Sequence, residues 1–344
     1  MKIPLHTAII FLPCLLGAQM AVAANLAECR ALVKDAARLA CYDALATAPE
    51  PLPVPRTEAL PGAASPHAEK LSDAGPSLLA KAWELDEGQR GHILRIRPYK
   101  PVYLLPYFHA TDPNRQPGSP ATGHTVDSPI DLGSTEAKLQ ISLKTKLAED
   151  IFGNNGDLWF GYTQSSRWQV YNGGLSRPFR ETNHEPEAML VWRTDYSLMG
   201  WRGRFVGLGL NHQSNGRSLP LSRSWNRVTF PIPLEHGDWS LTVRPWWRIP
   251  ENRSDDDNPD IADYMGRGDL HLLRRWGDHQ FSVMLRHSLR GGTDNHGAVQ
   301  LDYAFPIAGE LRGHLQWFSG YGESMIDYNH RSNYYGVGVS LIEW

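Results

Sequence analysis

The sequence has no internal run of apolar residues long enough for a membrane-spanning helix, which takes roughly 20 consecutive apolar residues. It also has little net charge, because its 34 Lys and Arg nearly balance its 37 Asp and Glu, for a net charge of −3. The charge therefore gives no reason to expect a nucleic-acid partner. A helical membrane protein is excluded, but a membrane β-barrel is not, because only alternate residues of a barrel strand face lipid.

Aromatic residues and glycine are abundant instead. The 344 residues include 12 Trp, 13 Tyr, 10 Phe and 31 Gly, a composition that fits a β-rich chain. The 25 Pro argue against long continuous helices. Composition alone therefore leaves two classes open, a soluble β-protein and a barrel in lipid.

The first 23 residues have the features of a secretory signal peptide. Lys2 is their only charged residue, an apolar stretch covers 9–16, and 21–23 form an A-x-A cleavage site. An uncleaved membrane anchor is the alternative, which the short apolar stretch and its interruption by Pro13 disfavour. We therefore predict that residues 1–23 are a cleaved signal peptide and that the chain is exported.

The chain has three cysteines, of which Cys14 falls within the predicted signal peptide. A lipoprotein site there is disfavoured because Pro13 stands where a small residue belongs. Cys29 and Cys41 remain, and an even pair in an exported chain predicts one disulfide, with two free buried thiols as the alternative. Both lie in residues 24–47, an Ala- and Leu-rich segment that we expect to be a short periplasmic helical element.

Residues 48–90 change to Pro, Ala, Ser and Glu, with prolines at alternate positions from 49 to 55. Such a composition buries little apolar surface, so it predicts a linker. The core must then be built by residues 91–344.

Apolar and polar residues alternate repeatedly within 91–344. Every second residue is apolar in 138–144 and in 239–244, which indicates strands with one apolar face. The other predicted strands are 99–109, 156–170, 185–198, 201–214, 223–234, 262–276, 280–290, 296–306, 309–320 and 333–344.

The length and number of these strands decide between the two classes. Many approach ten residues and have Trp, Tyr or Phe near their ends, whereas strands of soluble sandwiches more often have five or six residues. We count about 12 strands, an even number, as in bacterial outer-membrane barrels. The predicted fold is all-β, a 12-stranded antiparallel transmembrane β-barrel with a short N-terminal periplasmic helical segment.

Two polar residues continue the apolar face of one predicted strand. His212 and Ser214 share the parity of Leu208 and Leu210 and would face lipid with them. An H-x-S pair by itself carries little weight in a chain with 14 His. Polar side chains on a lipid face are costly, however, and call for a reason. The alternative is that both side chains lie near a strand end and reach the interface.

The next predicted strand supplies a third side chain. A hairpin centred near Leu219 pairs positions whose numbers sum to about 438, which places Asn226 beside His212 and Ser224 beside Ser214. Ser214, His212 and Asn226 would then be a nucleophile, a general base and an orienting group. An amide can fix the imidazole tautomer without placing a carboxylate near hydrocarbon, where a charge is costly.

The sequence around these residues resembles the signature of the outer-membrane phospholipase A family. The signature runs are NHQSNGRS at 211–218 and SRSWNR at 222–227. Further matching stretches are 162–164, 178–183, 257–260, 319–324 and 326–328, so the resemblance covers about 160 to 344. It implies a 12-stranded barrel in the outer membrane of a Gram-negative bacterium that hydrolyses phospholipid acyl esters, depends on calcium and is activated by dimerisation.

The resemblance also implies roles for individual residues. Ser214 is the nucleophile, His212 the general base and Asn226 the third member, in agreement with the face argument. The oxyanion hole would be formed by backbone N–H groups near Ser214 and Gly216, together with water polarised by calcium.

The implied calcium ligands are the carbonyl of Arg217, the hydroxyl of Ser222, the carboxylate of Asp257 and the carbonyl of the partner subunit's Ser176. Oxygen donors of this kind suit a hard cation. From spacing alone, the acidic run 255–257 would more often be a solvated loop. An Asp that the family often carries is replaced by Leu219, which leaves a second calcium site in doubt.

The dimer interface rests on the resemblance alone. Gln164 matches a polar position at the family's interface, and the alternative is an ordinary barrel polar residue. Arg167, Gly173 and His184 depart from the character expected there.

We predict an enzyme, a phospholipase A1/A2 with a serine nucleophile, that hydrolyses sn-1 and sn-2 acyl esters of phospholipids and lysophospholipids as a homodimer. Its partners would be membrane phospholipid and a second copy, with no nucleic acid. A lipid A deacylase, whose barrel has fewer strands, and a non-enzymatic porin or lipid transporter are the alternatives.

Overall fold

The computed structural model of the chain describes residues 26–46 and 77–341. The predicted signal peptide, residues 1–23, lies outside these ranges, as does most of the predicted linker. The chain divides into two compact units, Met1–Ala68 and Glu69–Trp344. No helix in the described ranges is long and apolar enough to cross a membrane.

The first unit contains two helices, α1 (Leu26–Ala31) and α2 (Asp35–Ala46). Alanine and leucine favour helix here, and Asp35 in the first turn of α2 interacts favourably with the helix dipole. A disulfide joins Cys29 to Cys41, with the two Cα atoms 5.5 Å apart. The segment 24–47 therefore contains a helical hairpin closed by one covalent bond.

The second unit contains twelve antiparallel strands that close into a barrel, counted over the described residues. They are β1 (Tyr103–Ala110), β2 (Thr135–Ala148), β3 (Asp157–Trp168), β4 (Phe179–Leu198), β5 (Trp201–Ser214), β6 (Ser224–Thr229 and Ile232–His236), β7 (Trp239–Ile249), β8 (Gly268–Trp276), β9 (His279–His287), β10 (Gly297–Ala308), β11 (Leu311–Tyr321) and β12 (Arg331–Ser340). Each strand pairs with the next, and β12 returns to β1. The predicted all-β, 12-stranded barrel is confirmed.

Two details of the strands have local causes. β6 is split because Pro231 has no N–H to give to the ladder, although its carbonyl still accepts from Gly207 N–H at 2.8 Å. The window 262–276 was predicted as one strand, but its start belongs to a helix, α3 (Ile261–Met265). Ile261 and Met265 are four residues apart and both buried, a spacing that fits one face of a helix as well as one face of a strand.

The alternation separates a polar interior from an apolar exterior. On β5, Phe205 and Asn211 are buried, whereas Leu208 and Leu210 are exposed. Charged pairs fill the interior. One of them joins Glu323 to Lys138 at 2.8 Å and to Arg167 at 2.7 Å, and a second cluster joins Arg180 to Glu136 and Asp327. Outward residues therefore meet lipid, and inward polar residues satisfy one another.

A further helix lies within the segment predicted as a linker. Residues Leu78–Trp83 form this helix, which we call the plug helix, with Ser77 Oγ accepting from Ala80 N–H at 3.0 Å as its N-cap. Its Trp83 ring packs against Trp159 and Phe205, with ring centroids 5.5 and 5.0 Å away. The plug helix, with the sequence LLAKAW, is therefore packed inside the barrel, at the end opposite the loop 215–223.

A cavity of about 680 Å³ lies inside the barrel. The plug helix and inward-facing side chains such as Arg244, Asp269 and Arg286 line it. The outward-facing residues His212 and Ser214 are on the other side of the barrel wall, so this cavity does not contain the candidate active site.

Candidate active site

Strands β5 and β6 position the candidate residues through their register. His212 pairs with Asn226 and Ser214 pairs with Ser224, which matches the register predicted from the hairpin. The loop 215–223 between the strands is tied down at its base, where Asn215 N–H donates to the Arg223 carbonyl at 3.0 Å. Arg223 is fully buried and donates to the His124 carbonyl at 3.0 Å. The residue that follows Ser214 is thereby fixed to the barrel.

His212 and Asn226 are in direct contact on the outer face. The distance from His212 Nδ1 to Asn226 Oδ1 is 2.8 Å. Because an amide oxygen only accepts, this contact places the imidazole proton on Nδ1 and leaves Nε2 able to take a proton. Ser214 lies two residues further along the same face. No hydrogen bond joins its hydroxyl to His212 in the described part of the chain, and catalytic contacts of this kind often tighten only when substrate binds.

A carboxylate that the sequence did not single out completes the row. Glu251 follows the end of β7, and its Oε1 accepts from Asn226 Nδ2 at 2.9 Å. Burial raises the pKa of the Glu251 carboxyl above its usual value, and the hydrogen bond from Asn226 works in the opposite direction. Ile249 pairs with Asn226 and Glu251 lies two residues beyond it, so finding Glu251 required the register between β6 and β7, which the alternation alone does not specify.

The outer face beside Ser214 carries further polar residues. Gln164 on β3 pairs with His184 on β4, and His184 pairs with Ser214 on β5. The Tyr162 hydroxyl is 2.7 Å from His184 Nδ1. Gln164, expected at a dimer interface, therefore faces outward in the same row as the candidate nucleophile. His184 was noted only as a departure from the family, and the register of two more strands was needed to place it.

Two of the four predicted calcium ligands are in contact. Ser222 Oγ donates to Asp257 Oδ2 at 2.7 Å, and Ser224 Oγ donates to the same oxygen at 3.2 Å. His124 Nε2 is 2.9 Å from the other carboxylate oxygen of Asp257. Sequence reasoning missed Ser224 and His124 at this position, and His124 is 133 residues away along the chain.

The other two predicted ligands lie on exposed loops. Arg217 lies in the loop 215–223, where its N–H donates to Asn215 Oδ1 at 3.2 Å. Ser176 lies in the loop between β3 and β4, is exposed and has a positive φ of 58°. No cluster of three or more His, Cys, Asp or Glu able to hold a metal occurs in the described ranges. A site here would therefore rely on one carboxylate with hydroxyl and carbonyl oxygens.

Comparison with known proteins identifies a family. A sequence model of the family described as phospholipase A1 matches residues 79–341. A putative phospholipase A1 of Neisseria meningitidis serogroup B is 40% identical over 348 residues, which cover 92% of this chain and 90% of that protein.

Two solved structures are also similar. Outer membrane phospholipase A from Escherichia coli has a TM-score of 0.65 and 39% identity, covering 73% of this chain and 99% of that one. The outer membrane phospholipase of Salmonella typhi, solved as a dimer with bound calcium, has a TM-score of 0.66 and 37% identity, covering 76% and 97%.

Proposed function

Because this chain belongs to the phospholipase A1 family and is an outer-membrane phospholipase, we propose that it hydrolyses sn-1 and sn-2 acyl esters of phospholipids and lysophospholipids with a Ser214–His212–Asn226 triad. The observation that carries this proposal is the 2.8 Å contact between His212 Nδ1 and Asn226 Oδ1 on the lipid-facing side of the barrel. Polar groups are costly there unless they have a function. A phospholipid in the membrane can approach this face without leaving the bilayer.

The proposed reaction begins with proton transfer from Ser214 Oγ to His212 Nε2 as Oγ attacks the ester carbonyl carbon. Asn226 holds the imidazole in the required tautomer throughout. The collapsing intermediate releases a lysophospholipid, whose oxygen takes the proton from His212. Water, activated by the same histidine, then attacks the acyl-enzyme and frees the fatty acid and Ser214.

Backbone N–H groups near Ser214 and Gly216 would stabilise the oxyanion of the intermediate. Gly216 has a positive φ of 59°, a conformation that glycine adopts without strain. This turn directs the chain away from β5 immediately after the nucleophile, so the Gly216 N–H lies outside the β5–β6 ladder. The N–H groups of Asn215 and Arg217 already donate to the Arg223 carbonyl and to Asn215 Oδ1, so the N–H of Gly216, for which the described residues provide no acceptor, is the one that would bind a developing negative charge.

The donor set around Asp257 fits a calcium ion. The hydroxyls of Ser222 and Ser224 both donate to Asp257 Oδ2, so three oxygen atoms that could bind a cation lie close together. A hard cation takes six to eight oxygen ligands, and the Arg217 carbonyl, waters and the carbonyl of the partner subunit's Ser176 would supply others. When bound, calcium would polarise a water that contributes to oxyanion stabilisation. Leu219 offers no oxygen from its side chain for a second site.

We further propose that the active form is a homodimer. The outer face that contains Ser214 also contains Gln164, and a calcium site shared between subunits would be complete only in the pair. The dimeric, calcium-bound phospholipase of Salmonella typhi supports this arrangement. The substrate phospholipid would lie in the outer groove between the barrels. Control by dimerisation would protect the membrane from a continuously active lipase.

The triad is tested by replacing Ser214 with Ala. Removal of the nucleophile should lower kcat for phospholipid in detergent micelles by about 10³-fold or more. The Ser197→Ala variant is the matched control, because Ser197 is exposed at the far end of β4. Both proteins should keep the heat-modifiable gel migration of a folded barrel. Activity of Ser214→Ala near that of the unmodified protein would contradict the triad.

The same assay separates the alternatives. A phospholipase releases lysophospholipid and free fatty acid, and EDTA removes the activity. A lipid A deacylase would release acyl chains from lipid A, and a porin would conduct ions without ester hydrolysis. The plug helix, which occupies one end of the barrel interior, argues against free conduction.

A further inference from the structure

Glu251 contacts the proposed triad through the side of Asn226 that faces away from His212. Asn226 uses Oδ1 toward His212 Nδ1 at 2.8 Å and Nδ2 toward Glu251 Oε1 at 2.9 Å. The three side chains therefore form a continuous row along neighbouring strands, because β7 pairs with β6 through Asn226 and Ile249. Glu251 is half-buried, at the point where the chain leaves β7.

The contact with Glu251 selects one of the two orientations of the Asn226 amide, a choice that a symmetric aspartate carboxylate would not require. An amide can turn over, and in the turned orientation Asn226 Nδ2 would face His212 and select the wrong tautomer. An ionised carboxylate only accepts hydrogen bonds, so Glu251 fixes Nδ2 on its own side. Oδ1 must then face His212, and His212 Nε2 is left free to accept the Ser214 proton.

The Glu251 carboxylate also contributes a negative charge, which the proposed triad lacks and which would stabilise the His212 imidazolium. Asn226 is neutral and stabilises the imidazolium less than a carboxylate would. Glu251 places a negative charge one side chain further away, and its hydrogen bond polarises the amide toward greater negative charge on Oδ1. The other charged groups around Glu251 are Arg248, Asp256 and Asp257. Arg248 donates to Asp256 Oδ1 at 2.6 Å, and its charge lowers the pKa of Glu251, whereas the charges of Asp256 and Asp257 raise it.

We propose that Glu251 is a positioning residue of the active site, which orients Asn226 and supplies the negative charge that the neutral third member lacks. The proposal rests on the proposed triad. The segment that follows β7 would then contribute to catalysis through Glu251, separately from calcium binding at Asp257.

The first test compares Glu251→Ala with Glu251→Gln. Glu251→Ala should lower kcat about tenfold with KM unchanged, because Asn226 is still present but no longer held in one orientation. Glu251→Gln should recover much of this loss, since its carbonyl can accept from Asn226 Nδ2. Glu310→Ala is the control, because this exposed carboxylate lies in the turn between β10 and β11 and should leave kcat unchanged. A kcat of Glu251→Ala within twofold of the unmodified enzyme, or no recovery in Glu251→Gln, would overturn the proposal.

The pH profile separates positioning from general stabilisation of the fold. In Glu251→Gln the negative charge is gone, so the acid limb of kcat/KM should move to lower pH, by about half a unit for a charge about 7 Å away in a solvent-like medium. If Glu251 had only a structural role, its substitution would lower kcat/KM by the same factor at every pH and leave the acid limb in place. An acid limb that stays in place would remove the charge part of the proposal.

A double substitution shows whether Glu251 acts through Asn226. Glu251→Ala should lower kcat in the unmodified enzyme and have no further effect in an Asn226→Ala background. An equal loss in both backgrounds would overturn the proposal. The Ser214→Ala variant, measured in the same assay, distinguishes failure of the proposed triad from failure of the proposed role of Glu251. If Ser214→Ala stays active the triad fails, whereas an inactive Ser214→Ala with a fully active Glu251→Ala refutes only the role of Glu251.

Discussion

At the residue scale, the candidate site shows which contacts a one-dimensional pattern can predict. His212, Ser214 and Asn226 could be placed together because strand parity and a single hairpin register relate them. The contact of Glu251 with Asn226, and those of Ser224 and His124 with Asp257, were missed for a physical reason. Their contacts depend on loop paths and on strand neighbours that no period-two pattern specifies, even where the chain separation is as small as the 25 residues between Asn226 and Glu251.

Asp257 carries the only carboxylate among the proposed calcium ligands, so its charge should dominate the affinity. Asp257→Asn keeps the shape and the ability to contact Ser222 but removes the negative charge. The calcium concentration for half-maximal activity should rise about tenfold or more, as expected when a hard cation loses its anionic ligand. The measurement is a calcium titration of ester hydrolysis, together with direct calcium binding by calorimetry.

Asp255→Asn is the matched control, since Asp255 is exposed in the same loop. An unchanged calcium midpoint in Asp257→Asn, or the same shift in both variants, would remove Asp257 from the proposed site. A loss of activity that excess calcium does not restore would also count against it.

At the element scale, alternation predicted the strands well because lipid on one side and a polar interior on the other impose period two along every strand. It failed where the environment differed. The plug helix was assigned to a linker because the Pro-rich composition of 48–90 concealed the short apolar sequence LLAKAW. Helix α3 was merged into a strand window because Ile261 and Met265 are apolar at a spacing that suits both readings over so few residues.

The plug helix should stabilise the barrel without taking part in catalysis. Trp83 packs against Trp159 and Phe205 at the end opposite the loop 215–223. Trp83→Ala should lower the free energy of unfolding by about 3 kcal/mol, the usual range for removing a large aromatic side chain from a packed cluster. Urea unfolding in detergent or vesicles measures this, and kcat at low temperature should be unchanged.

Trp276→Ala provides the comparison, because Trp276 is an exposed tryptophan at the end of β8. It should cost clearly less stability than Trp83→Ala. Equal costs would show that the Trp83 cluster contributes no special stability, and a loss of kcat in Trp83→Ala would show that the two ends of the barrel are coupled.

At the scale of the whole molecule, the number of strands and the lipid-facing side of each strand could be predicted from the sequence, but the way in which two barrels would meet could not. The outward row that contains Gln164, His184 and Ser214 shows where such a contact would have to lie if the partner subunit is to complete the calcium site. Polar groups that face lipid are costly, so association with a second barrel that covers them would be favourable.

This arrangement predicts that activity depends on association and on the amide of Gln164. Specific activity should rise with the ratio of protein to detergent micelle, and EDTA should abolish both hydrolysis and chemical crosslinking of the pair. Gln164→Ala should raise the protein concentration for half-maximal activity about fivefold, as expected for loss of one hydrogen-bonding group worth about 1 kcal/mol. Asn333→Ala is the control, because Asn333 lies on β12 and pairs with Ser319 of β11, away from the β3–β5 face. Activity that is independent of protein concentration and unaffected in Gln164→Ala would mean that a single barrel is sufficient, and the calcium ligands would then have to come from one chain.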